Sequence, residues 1–174
     1  MNKKTQKFVS QCNIFLIIIF SFFFCKEKPI NKANISNKAP DFKVPVFHLA
    51  ENLTNKEISL ATFKNKPAVI LFTASYCPTC EYMFKAFAPY VHQGVFVFGV
   101  GAYDKEELFR LKIKSIKPQV PVAFDTDNMA KKYGVEVLPH TVFINAEGKI
   151  HATFYGTMSE ERIKNNLKDM GAIK

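Results

Sequence analysis

The stretch TASYCPTCEYMF, residues 73–84, carries Cys77 and Cys80 three positions apart. It overlaps AVILFTA, residues 68–74, an unbroken apolar run of strand length. Such a run suits a strand covered on both faces. After the pair, Met83, Phe84, Phe87 and Val91 recur at helical spacing. Cys77-Pro78 puts proline at the first helical turn, where its missing N–H is harmless. The local reading is strand, cysteine pair, helix. A C-x-x-C at that junction has three chemical uses: a redox couple, part of a metal site, or a static bridge.

The compartment narrows the choice. The chain has 174 residues and 48% hydrophobic composition, enough for one packed domain and a short appendage. Its N-terminus opens with the basic MNKKTQK and continues into an apolar run over residues 14–25, broken only by Ser21. That length fits a signal h-region and falls short of the roughly 20 residues of a spanning helix, the alternative being a short, uncleaved membrane anchor. The run ends on Cys25, and the composition turns polar at once in KEKPINKANISNKAP. This resembles a bacterial lipoprotein signal, which implies lipidation of Cys25 and a hold on the lipid membrane. SFFFC departs from that pattern, with Phe where small residues are usual. The expected organisation is a lipoprotein-type signal peptide over residues 1–24, a flexible tether over 25–38, and one folded domain over 39–174. The protein is expected to be exported and anchored, facing the periplasm or the outside. Cysteines there pair or do redox work. Cys12 leaves with the signal; if Cys25 is lipidated, as the lipoprotein resemblance implies, Cys77 and Cys80 have only each other. The formal charge of +9 favours solubility and weak attraction to anionic surfaces. It does not make a nucleic-acid binder, because no basic helix or RNA-binding aromatic motif accompanies it.

Outward from the pair, VPVFHLA reads as a first strand and ENLTNKEIS as a turn into a second. SLATFKNKP is a short helical or turn segment, and GVFVFGVGA is another buried strand. YDKEELFRLKIK is a helix with Asp104 as its N-cap. VPVAFDTDNMAKKYGV gives a short strand and a helix closed by Gly134. HTVFINAEGKIHATFYG is two strands joined by a turn at Ala146-Glu147-Gly148. TMSEERIKNNLKDMG opens with a capping box from Thr157 to Glu160, and Ile163, Leu167 and Met170 share one face. The order is an α/β sandwich.

Chemistry follows from the placement. Unpaired N–H groups and the helix dipole favour an anion at a helix N-terminus. They lower a thiol pKa from about 8.5 into a range of about 3.5–7.5. Cys77, expected to be the exposed member, is the nucleophile; Cys80, one turn in and more buried, is the resolving thiol. One thiolate that attacks and one thiol that resolves is the requirement for disulfide exchange. A zinc site usually asks for four ligands, and there is no second C-x-x-C. His92 and His140 could join a zinc or copper site. His92 reads as a solvated helix-end residue. His140 follows a Leu138-Pro139 segment and is expected near the disulfide.

The chain resembles the thioredoxin superfamily, and within it the exported TlpA/ResA-like thiol-disulfide oxidoreductases. The matching pieces are APDF, ISLATFKNKPAVILFTASYCPTC and FDTDNMAKKYGVEVLPHTVFINAEGKI, which span roughly residues 39–170. The resemblance implies a thioredoxin-like three-layer α/β/α sandwich with a central mixed sheet and an N-terminal β-hairpin extension. It implies that Pro139 is a cis-proline packed against the disulfide. Tyr76, Pro78, Thr79 and Leu138 are the expected substrate contacts. No cofactor beyond the Cys77–Cys80 couple and no metal is expected. The implied partners are protein thiols and disulfides, for instance those of apocytochrome c, and a membrane electron donor. The alternative is a non-enzymatic metal-binding or copper-delivery module using the same cysteines.

The departures are specific. Tyr76 stands where the family usually has Trp. Leu71 and Met83 stand where relatives keep a buried Asp or Glu, and Lys85 replaces a usual Pro, with Pro89 further on. Glu81 is then the nearest acid in sequence, expected to act only through the helix dipole. Peroxidase chemistry of the peroxiredoxin type needs P-x-x-x-T-x-x-C. The corresponding residues are Ile70 and Ala74 before Cys77, and Thr73 and Cys77 before Cys80, so neither cysteine fits.

Overall fold

A computed structural model describes residues 38–48 and 57–174. The signal and the tether up to residue 37, with Cys25, lie outside the described residues, as does the turn read before the second strand. Seven strands form one mixed sheet in the order β2-β1-β5-β4-β3-β6-β7. They are β1 (Lys43–His48), β2 (Glu57–Ser59), β3 (Ala68–Thr73), β4 (Phe96–Gly101), β5 (Val122–Phe124), β6 (His140–Ile144) and β7 (Ile150–Tyr155). The helices are α1 (Cys80–Val91), α2 (Glu106–Ile116), α3 (Met129–Lys132) and α4 (Glu160–Asp169), and a 3-10 turn spans Leu60–Phe63. β3, β4 and β5 run parallel; β6 is antiparallel to β3, and β7 to β6. The β1–β2 pair extends the sheet by an antiparallel contact of β1 with β5. Its N-terminal end is tied down by the Ala39 N–H, which donates to the Gly148 carbonyl at 2.9 Å.

β3 is central, and all six of its residues are buried, which is why its sequence is a continuous apolar run rather than an alternation. Successive side chains serve opposite faces. Val69 and Leu71 pack with Met83, Phe84 and Phe87 of α1, Phe109 of α2 and Leu167 of α4. Ile70 and Phe72 pack with Phe42, Phe63, Phe98, Met129 and Tyr133. Each large side chain so buried contributes about 1.5–3 kcal/mol relative to exposure. A Cβ at Gly101 would overlap the Phe109 ring, so that glycine lets α2 lie close on β4.

Three local expectations change. α1 begins at Cys80 with Thr79 in the N-cap position, so Pro78 sits in the turn before the helix rather than in its first turn. α2 begins at Glu106 with extended Lys105 ahead of it. Asp104 lies one residue too early to cap, and its carboxylate accepts the Ser75 and Lys105 N–H groups instead. α4 is capped by Ser159, whose Oγ accepts the Arg162 N–H at 3.3 Å; Thr157 precedes the extended residue that serves as cap.

Candidate active site

The cysteine pair sits where β3 ends and α1 begins. The Cys77 N–H donates to the Ala74 carbonyl at 3.2 Å, and the Cys80 N–H to the Cys77 carbonyl at 3.3 Å. This closed turn leaves the Cys77 side chain just beyond the N-terminal end of α1. Cys77 and Cys80 are joined, with S–S 2.08 Å and Cα–Cα 5.5 Å. Thr79 does not cap the helix through its side chain; its Oγ1 lies 3.8 Å from Cys77 Sγ. The expectation of an exposed Cys77 needs correction. Both cysteines are buried, at 5% and 3% exposure, in a small apolar cluster with Ala74 and Leu138. In the disulfide state the pair packs against Leu138 of the proline loop.

A cleft of about 360 Å³ opens onto the pair and is lined by Tyr76, Cys77, Pro78, Thr79, Tyr103, Glu136 and Leu138. Tyr76, Pro78, Thr79 and Leu138 had been singled out from the sequence. Cys77 lines the cleft and Cys80 does not, so the difference in access lies in orientation more than in exposed area. The Leu138–Pro139 bond is cis. Pro139 is itself buried, and its carbonyl accepts the Gly156 N–H at 2.7 Å.

Sequence reading missed the brace behind this cleft. Tyr103, in the β4–α2 loop, adopts a left-handed φ of 57°, uncommon for a residue with a side chain. Its carbonyl accepts the Tyr76 hydroxyl at 3.1 Å, and its own hydroxyl donates to the Val135 carbonyl at 2.6 Å. Asp104, next in the chain, holds the Ser75 N–H. One loop thus ties the cysteine turn to the proline loop. The contacts span 27 to 32 residues of sequence, and no local pattern announces them.

The acids around the site differ in state. Leu71 and Met83 are buried and apolar, so neither position supplies a carboxylate. Glu81 accepts from Lys85 Nζ at 2.8 Å and Lys112 Nζ at 3.2 Å. Those hydrogen bonds, Lys85 first, hold its pKa below the usual carboxylate range, so it acts through ion pairs and not the dipole alone. Glu136 lines the cleft with no counter-ion among the described residues. His92, at the C-cap of α1, is exposed and away from the pair. His140 is buried, edge-on to Phe72 at 6.3 Å, and neither ring nitrogen has a protein partner. Burial pushes its pKa down.

Comparison with known proteins agrees with this geometry. The chain is 29% identical over 172 residues to the thiol-disulfide oxidoreductase ResA of Bacillus subtilis, covering 94% of this chain and 92% of that one. It is 28% identical over 162 residues to ResA of Bacillus thuringiensis subsp. konkukian, covering 90% and 88%. Its fold matches a DsbE-like thiol:disulfide interchange protein of Chlorobium tepidum with a TM-score of 0.66 at 23% identity, over 77% of this chain and 95% of that one. The Redoxin family model matches residues 35–171. The chain belongs to the Redoxin family, as a ResA-like member of the thioredoxin superfamily.

Proposed function

We propose that the protein is a thiol-disulfide oxidoreductase that reduces disulfides of other exported proteins from the outer side of a membrane. The observation that carries this reading is the placement of the pair: a closed Cys77–Cys80 disulfide at the N-terminal end of α1, with Cys77 alone of the two facing the cleft. In the reduced enzyme the helix end stabilises the Cys77 thiolate, and the Thr79 hydroxyl is placed to donate to it. The thiolate attacks one sulfur of a substrate disulfide. A Cys77–substrate bond forms, and the other substrate sulfur leaves as a thiolate that takes a proton from solvent. Cys80 then loses its proton and attacks Cys77 Sγ. The intramolecular disulfide closes and the second substrate thiolate departs. The substrate gains two electrons and the enzyme dithiol loses two; a membrane electron donor returns them. The pair carries the electrons, so no further cofactor is invoked.

The disulfide form of apocytochrome c is one substrate consistent with the ResA likeness, its two thiols being the product, and Cys25 is the attachment point for lipid. Among the described residues no helix is long and apolar enough to cross a membrane. The copper-delivery alternative has only the two sulfurs to work with, since no three His, Cys, Asp or Glu among the described residues gather to hold a metal. Trapping tests the assignment of roles. Cys80→Ser keeps a fast-alkylating thiol at Cys77 and accumulates mixed disulfides with substrate. Faster alkylation of Cys80 than Cys77 in the reduced wild type reverses the order. For the anchor, Cys25→Ser blocks processing and releases the protein from membranes; unchanged membrane association rejects lipidation.

A further inference from the structure

The cleft has one charged wall. Of the residues that line it, Glu136 carries the one carboxylate, and in the reduced enzyme the Cys77 thiolate adds a negative charge of the same sign. It is exposed and without a counter-ion among the described residues. The other nearby carboxylates are spent: Glu81 on Lys85 and Lys112, Asp104 on two backbone N–H groups. Beside Glu136 stand two aromatic rings with large open surfaces, Tyr76 at 63% and Tyr103 at 55% exposure. An aromatic face attracts a cation through its quadrupole, so rings and carboxylate favour the same sign of charge. The chain as a whole is strongly basic, at +9. That field would favour acidic partners at long range, but it is screened beyond about 8 Å at physiological salt. A substrate residue beside the reacting sulfur enters the same cleft that Glu136 lines, where this screening is weaker.

We propose that Glu136 sets substrate preference, and that the cleft takes extended peptide segments carrying a Lys or Arg next to the reacting cysteine. This rests on the oxidoreductase reading and deepens it. Exposed ion pairs of this kind change affinity by about two- to fivefold. The full-length chain in detergent, pre-reduced and freed of reductant, is mixed with three peptides, each holding one disulfide flanked by Lys, Gln or Glu. The single-turnover rate constant is read for each at low ionic strength.

The wild type should reduce the Lys peptide about fivefold or more faster than the Glu peptide. Glu136→Gln should lower that ratio at least twofold, toward the value that the Cys77 thiolate sets by itself, Glu136→Lys should lower it further, and added salt should compress it. Glu147→Gln removes the same charge from the β6–β7 turn, at the far end of the strand, and should leave the ratio as in the wild type. A wild-type ratio at or below one, or a ratio unmoved by Glu136→Gln, overturns the inference while rapid reduction of the Gln peptide keeps the oxidoreductase reading. Failure to reduce any of the three overturns both.

Discussion

The two ends of β6 treat polar groups in opposite ways. At its C-terminal end the strand enters the β6–β7 turn. There the Asn145 N–H donates to the Lys149 carbonyl, Gly148 N–H to the Asn145 carbonyl, and Lys149 N–H to the Asn145 side chain, at 2.9–3.0 Å. The Gly148 carbonyl in turn holds the Ala39 N–H. At its N-terminal end, directly after the Leu138–Pro139 segment whose leucine packs on the cysteines, His140 and Thr141 are buried with their side-chain polar atoms lacking protein partners. One end is fully bonded and structural. The other leaves polar groups uncommitted where chemistry takes place, as functional sites do when local consistency yields to activity.

The largest test of that contrast is loss of the nucleophile. Cys77→Ser should abolish insulin-disulfide reduction, whereas Asn145→Ala, at the bonded end, should leave exchange at the wild-type rate.

Stability should respond the other way round. Replacing His140 by Leu removes two buried nitrogens without partners, each of which carries a desolvation cost of about 1–3 kcal/mol. His140→Leu should be as stable as the wild type or more so at pH 8. The gap should widen in acid. Burial lowers the folded-state pKa of His140 below its ordinary value of 6.5. As pH falls through 6.5, the unfolded chain takes up a proton that the folded site resists, and stability drops until the folded pKa is passed. Denaturant melts at pH 8 and pH 5 read both effects; a variant less stable than the wild type at both would show that the imidazole is satisfied. Asn145→Ala should lose about 0.5–1.5 kcal/mol by the same melts.

The smallest effect belongs to Glu81. Its carboxylate is already held by Lys85 and Lys112, so it is a poor proton acceptor for Cys80. Glu81→Gln should change the exchange rate less than about fivefold, the size of a helix-end charge effect. A much larger loss with normal Cys77 reactivity would make Glu81 the base.

What the sequence revealed and what it hid divide along the range of the interactions. The β3 run, the α1 periodicity of Met83, Phe84 and Phe87, and the β6–β7 turn are local patterns, and they fold as read. The cysteine pair was legible in its spacing and its place between strand and helix, and the proline loop through the resemblance to the thioredoxin superfamily. Caps were less legible: Asp104 and Thr157 have the right chemistry, but a neighbour's N–H or a shift of the helix start by one or two residues decides which oxygen caps. The brace through Tyr103 and the open acid at Glu136 arise from three loops meeting at the ends of β3, β4 and β6. Nothing within one loop encodes that meeting.

The central claim is that Cys77–Cys80 cycles between dithiol and disulfide rather than serving as a fixed bridge. Equilibrating the protein across glutathione and dithiothreitol redox buffers, quenching in acid and counting free thiols measures its reduction potential. With a proline first between the cysteines, as in glutaredoxin-like pairs, the account predicts reversible titration on the order of −200 to −260 mV. A potential below about −300 mV, the range of structural disulfides, or a pair that will not reduce reversibly, would contradict it.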